Sequence, residues 1–150
     1  MKTNRPFAVF DIDGTIFRSS LVVELMYSLV KTGVFPPKAR EELRAAHDAW
    51  QRREQPDAYD AYIRSLVVSY RPHLSGRNQS EIRPVAAQVV AKYHAHTYVY
   101  TLNLMKDRKQ KSYVLLAISG SPSELVGVFA KVYGFDDFVA SEYVVDESGA

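Results

Sequence analysis

Two short apolar runs, far apart in the chain and each closed by small polar residues, constrain the fold more than any other feature. Phe7-Ala8-Val9-Phe10-Asp11-Ile12 leads into Asp13-Gly14, and Tyr113-Val114-Leu115-Leu116-Ala117-Ile118 leads into Ser119-Gly120. Neither shows helical spacing, so both are predicted as strands, and runs without polar alternation predict interior strands of a parallel sheet, apolar on both faces. Ser121-Pro122-Ser123-Glu124 follows the second run with a capping Ser, a Pro suited to a first helical turn and a Glu three residues after the cap. That capping box predicts a helix through about Tyr133, stopped by Gly134, with a third, shorter strand from Phe138 to Val145.

The segment between the first two runs has a helical period. Leu21, Val22, Leu25, Met26, Leu29 and Val30 form one stripe before Gly33. Pro37 to about Glu54 reads as a polar helix with Leu43, Ala46 and Trp50 on one side. Pro56 to about Tyr70 reads as another, with Tyr59, Tyr62, Ile63 and Leu66 as its apolar face. Asn78-Gln79-Ser80-Glu81 is a second capping box, opening a helix that runs through Val85 and Val89 toward Lys106, although Tyr98-Val99-Tyr100-Thr101-Leu102 inside it favours a strand. The order predicts an α/β fold, with a core of 1–16 and 76–150 and a helical insertion of 17–75.

Composition excludes several classes. A 150-residue chain with no cysteine, seven Gly and seven Pro is neither collagen-like, mucin-like nor disulfide-stapled, and suits a reducing, cytoplasmic setting. A net charge of +2, from 19 basic and 17 acidic residues, gives no basis for a nucleic-acid partner. No segment is long and apolar enough for a membrane, and the longest stretch resembling a signal peptide, Met1 to Phe10, has an apolar part of only Phe7 to Phe10 before Asp11 and Asp13 interrupt it. The run Lys106 to Lys111 reads as a solvated turn. Oligomeric state is left open.

Asp11-Ile12-Asp13-Gly14-Thr15 carries the chemistry. By average residue frequencies, D-x-D-G-T turns up by chance in about one such chain in six hundred, and here it sits at the carboxyl end of a predicted strand, where open parallel sheets bind ligands. Two carboxylates at i and i+2 leave one face of a strand, close enough to share a hard cation and to push their pKa values apart. One can then attack while the other moves a proton. The bland alternative is an acidic turn, with Gly14 at positive φ and Asp13 closing an Asx turn. At the second strand end, Ser119 and the Gly120 amide can meet an anion at the head of the helix that follows. Alone, they read as a strand terminus followed by a capping Ser121; beside the first motif they read as a phosphate site.

These residues, with an all-helical insertion directly after the first of them and Tyr133-Gly134-Phe135-Asp136-Asp137 before the third strand, resemble the haloacid dehalogenase-type hydrolases. Within them the likeness is to the phosphatase branch that includes the phosphoserine phosphatases. The resemblance implies a Rossmann-like core with a helical cap. It implies that Asp11 is the nucleophile that becomes an aspartyl phosphate, and that Asp13 protonates the leaving alcohol and then activates water. It also implies Mg²⁺ held by the Asp11 carboxylate and the Asp13 backbone carbonyl, with Gly14, Thr15, Ser119 and Gly120 holding phosphate oxygens. The substrate expected is a small phosphorylated metabolite.

The chain departs from that family in three respects. Such enzymes carry a Lys after the third strand and an acidic pair after a fourth, and neither has appeared by Ala150, so the core is expected to lack its last strands. Asp136-Asp137 and Lys131 are poor substitutes by position. Ser121-Pro122 stands where the phosphoserine enzymes typically have a further glycine, which makes phosphoserine one candidate among several phosphomonoesters. Glu24, Arg40, Arg44, Arg52, Arg53 and Arg64 are candidates for reading the substrate, although such residues usually lie solvated at the surface. His94 and His96, two apart, cannot form an i, i+4 metal pair, and His47 and His73 have no local partner. The alternative to an enzyme is a non-catalytic phosphate- or partner-binding module, or a catalytically incomplete fragment, that keeps the fold.

Overall fold

The computed structural model describes residues 5–53 and 55–144, without the side chains of Glu42, Ala45 and Ala46. The expected helix end at Glu54, the strand end at Val145 and the place of Ala46 on its helix lie outside the described residues. The element order is β1 (Phe7–Asp11), α1 (Leu21–Lys31), α2 (Pro37–Gln51), α3 (Ala58–Leu74), α4 (Gln79–Tyr93), α5 (Val99–Gln110), β2 (Val114–Pro122), α6 (Ser123–Tyr133) and β3 (Asp137–Ser141). The described strands form one parallel sheet in the order β1-β2-β3. This is the expected α/β architecture, with three strands in place of a larger sheet. No helix among the described residues is long and apolar enough to cross a membrane.

The described chain divides into two compact units, one of residues 5–22 with 86–144 and one containing residues 23–85. In the first, Phe10, Leu115 and Ala117 form the buried side of the sheet, and α6 contributes Leu125, Val126, Phe129 and Ala130. Gly127 lets α6 come close to β3, because a Cβ there would stand 3.1 Å from the Phe138 ring. Gly134 ends α6 in the left-handed conformation, φ 72°, as its position predicts. The opposite side of the sheet departs from expectation. Phe7 is 67% and Val139 64% exposed, with Val9 and Ile118 also open. An unbroken apolar run reports that both faces suit burial, not that both are covered.

The helix expected to run from Asn78 toward Lys106 is two helices. Asn78 begins α4 as its capping box predicts: its side chain accepts the Ser80 amide at 2.9 Å, and Glu81 accepts the Asn78 amide at 3.1 Å. The break at 94–98 has a cause remote in sequence. The Arg18 amide donates to the His96 carbonyl and the Tyr98 amide to the Ile16 carbonyl, each at 2.9 Å, with an antiparallel bridge between Phe17 and Thr97. Those backbone groups are tied to the segment that follows β1 and cannot continue a helix.

The second unit is packed from helices. Leu25, Met26, Leu29, Leu43, Leu66 and Tyr70 are buried, confirming the stripes read for α1 and α3, although Tyr59 is half exposed. Trp50 stacks on Tyr62 with ring centroids 5.3 Å apart, and His47 meets the same ring edge-on. Burial pushes the Tyr62 hydroxyl well above the usual tyrosine range.

Candidate active site

The register pairs Asp11 with Ile118, so β1 delivers its acidic end beside the Ser119-Gly120-Ser121 end of β2. After Asp11 the chain turns at once. The Ile12 amide donates to Ile118, and its carbonyl accepts the amides of Thr15, Ile16 and Phe17. Gly14 makes the turn with φ 78°, and its amide donates to the carbonyls of Phe17 and Ser19. Thr101 on α5 fixes the loop from outside, donating its hydroxyl to the Thr15 carbonyl at 2.8 Å.

The two carboxylates stand in unlike settings. Asp11 is exposed, and one oxygen, Oδ2, accepts the Thr15 hydroxyl at 2.6 Å. Asp13 is partly buried and accepts from three donors: the Leu21 amide reaches Oδ1 at 2.6 Å, while the hydroxyls of Ser119 and Ser121 reach Oδ2 at 2.6 and 3.0 Å. Burial pushes the Asp13 carboxyl above the ordinary aspartate value, the three donors pull it back, and the charge of Asp11 adds a smaller upward push. The pair is therefore differentiated mainly by burial rather than by mutual repulsion.

The structure thus brings Asp11, Asp13, Thr15 and Ser119 to one place, with Gly120 beside them. A Cβ built on Gly120 meets nothing within 4 Å, so the backbone there faces open space. Thr15 and Ser119, read as phosphate ligands, hold the two aspartates here. Ser121 was missed as a site residue. Expected to cap α6, it instead lies in β2, and the helix begins after Pro122 with no side-chain cap. Its hydroxyl has gone to Asp13. The spacing Ser119-x-Ser121 on a strand, which puts both hydroxyls on one face, was the available signal.

The other candidates stand apart. The Asp136 carboxylate accepts the Leu115 amide at 2.7 Å near the start of β2, away from Ser119, and Lys131 lies on α6. Arg44 and Arg64 form ion pairs with Asp48 and Asp57, and Arg40 lies over the Tyr27 ring. Among the described residues no three His, Cys, Asp or Glu side chains gather as a metal cluster.

The sequence profile of the haloacid dehalogenase-like hydrolases matches residues 8–149. No curated protein matches the chain. Among solved structures, a protein of unknown function from Bordetella pertussis Tohama I shares 14% identity at a TM-score of 0.71, covering 98% of this chain and 65% of that one. A phosphoserine phosphohydrolase-like protein from Francisella tularensis subsp. tularensis SCHU S4 shares 18% at 0.54, covering 97% and 62%. A phosphoserine phosphatase in apo form shares 15% at 0.55, covering 97% and 58%. At these identities the likeness is one of fold, and the chain spans less than two thirds of each neighbour.

Proposed function

The chain belongs to the haloacid dehalogenase-like hydrolases, and from that premise we propose that its strand-end cluster is the active site of a Mg²⁺-dependent phosphomonoesterase acting on a small phosphorylated metabolite. The observation that carries the reading is the contrast between an exposed Asp11 and an enclosed Asp13 with a raised pKa. In this reading an Asp11 oxygen bonds to phosphorus as the ester P–O bond breaks, and Asp13, as the acid, gives its proton to the departing alcohol. Asp13, now ionised, takes a proton from water as that water attacks phosphorus, releasing inorganic phosphate and restoring Asp11. A carboxyl held above its ordinary pKa suits the acid role. Ser119 and the Gly120 amide would hold phosphate oxygens as charge develops, whereas Gly14, whose amide donates to the Phe17 and Ser19 carbonyls, and Thr15, whose hydroxyl donates to Asp11, shape the turn that presents the nucleophile.

The Asp11 carboxylate and the Asp13 backbone carbonyl would hold Mg²⁺. They are hard oxygen donors at one strand end, and few protein ligands suffice for an ion that shares its shell with water and substrate phosphate. Bound there, the ion neutralises charge between an anionic nucleophile and an anionic ester. The helical insertion expected at 17–75 is, in this reading, the cap that selects the leaving group, and the setting is cytoplasmic. The test is hydrolysis of p-nitrophenyl phosphate. It should require Mg²⁺, stop with a chelator and fall at least about a thousandfold in Asp11→Asn. An Asp11→Asn protein as active as the parent would sink the reading. No hydrolysis with any divalent metal, and no thermal shift with fluoroberyllate, would favour the non-catalytic module.

A further inference from the structure

We propose that Ser121 is a positioning residue for Asp13, holding its carboxyl in place while the Ser119 hydroxyl turns to the substrate's phosphate. The inference rests on the phosphatase reading of the same site and goes beyond it in assigning a residue that the motif does not contain.

A serine hydroxyl has one proton to donate. Here the Ser119 proton goes to Asp13 Oδ2 at 2.6 Å, while the Ser119 oxygen accepts the Ser121 amide at 2.9 Å. A Ser119 that donates to a phosphate oxygen must therefore let go of Asp13. Were Ser119 the sole hydroxyl on Oδ2, binding substrate would strip a donor from a partly buried carboxylate at the moment its orientation matters, and a donor lost to a buried acceptor is costly. Ser121 removes that conflict, because its hydroxyl reaches the same Oδ2 at 3.0 Å from the same face of β2. It is 1% exposed, so water does not compete for it. Pro122 restricts the preceding residue to extended backbone, which keeps Ser121 aimed at the carboxyl. The Ser121 amide meanwhile anchors the Ser119 oxygen, so the exchange requires only that the Ser119 proton turn about its C–O bond.

The split between kcat and KM tests this on the full chain with p-nitrophenyl phosphate and Mg²⁺. Ser121→Ala should lower kcat about tenfold or more while KM stays within about twofold. Ser119→Ala should raise KM as well, and Ser121→Thr, which keeps the hydroxyl, should recover most of the lost kcat. An unchanged kcat in Ser121→Ala, or a loss that falls in KM as in Ser119→Ala, overturns the proposal while leaving the phosphatase reading intact. A crystal structure of the parent with tungstate decides independently of how the variants fold. Ser119 should then donate to a tungstate oxygen with Ser121 still on Asp13 Oδ2, whereas both hydroxyls remaining on Asp13, or both leaving it, overturns the exchange. A parent that neither hydrolyses the ester nor binds tungstate beside Asp11 overturns the phosphatase reading and this inference with it.

Discussion

Polar groups are held differently in the two compact units. In the unit with the sheet, the bonds that matter join residues remote in sequence: Asp13 to Ser119 and Ser121, 106 and 108 positions away, and Thr15 to Thr101, 86 away. In the helical unit most of the described ones are local: the hydrogen bonds of Thr32 to Ser28, Ser65 to Tyr62 and Asn78 to Glu81 and the ion pair of Arg44 with Asp48 span three or four residues, and Tyr27 to Tyr62 reaches further. Local bonds of this kind cap or decorate helices whose stability comes from packed side chains. Long-range bonds to the partly buried Asp13 carboxylate fix a geometry, and they do so against the cost of burying charge. The first unit holds the strand-end carboxylates to which the proposed chemistry is assigned, and the second is held mainly by apolar packing.

Leu66→Ala puts the largest stability effect on the helical side. Removing a fully buried side chain should cost about 2–5 kcal/mol in urea unfolding. A loss below about 1 kcal/mol would mean that the helical unit is not held by this packing.

Asp13→Asn should act in the opposite direction. Because burial raises the folded-state pKa of Asp13, its favourable contribution is complete below the unfolded aspartate value and is lost as pH rises through the folded value. In metal-free buffer the Asn variant should melt above the parent at pH 7, with the difference closing as pH falls toward 3.8. A variant that melts below the parent at pH 7 would show that the three donors outweigh burial.

Asp107→Asn should have the smallest effect and the opposite pH sense. Its carboxyl is lowered first by the Lys111 hydrogen bond, so any stabilisation exists above the unfolded value and fades as pH falls. With the Asp107 and Lys111 side chains both open to solvent the contact is screened, and the melting difference at neutral pH should be barely resolved and vanish in salt. A clear loss would mean that this surface ladder on α5 matters as much as the strand-end network.

The same contrast explains what the sequence could reveal. Apolar runs and the Asp11-Ile12-Asp13-Gly14-Thr15 motif are local patterns, and they located β1, β2 and the strand-end cluster. The Asn78 box and the Gly134 stop are equally local, and both appear as read. For Ser121 the local pattern, Ser before Pro, favours a helix cap, while its partner in the structure, Asp13, lies 108 positions away. The α4–α5 break escaped for a like reason, since the bonds of His96 and Tyr98 go to residues 16 and 18. The exposed side of the sheet shows a further limit: Phe7, Val9 and Ile118 declare a face fit for burial, and only tertiary structure shows whether anything lies on it.

The central claim, that Asp11 accepts a phosphoryl group, is tested most directly by trapping. The protein would be mixed with p-nitrophenyl phosphate and Mg²⁺, quenched with tritiated borohydride and mapped by peptide mass. An acyl phosphate is reduced to an alcohol where a free carboxylate is not, so the account predicts label and reduction to homoserine at position 11 alone, and none in Asp11→Asn. Turnover with no label at position 11, or label at another carboxylate that survives Asp11→Asn, would contradict it.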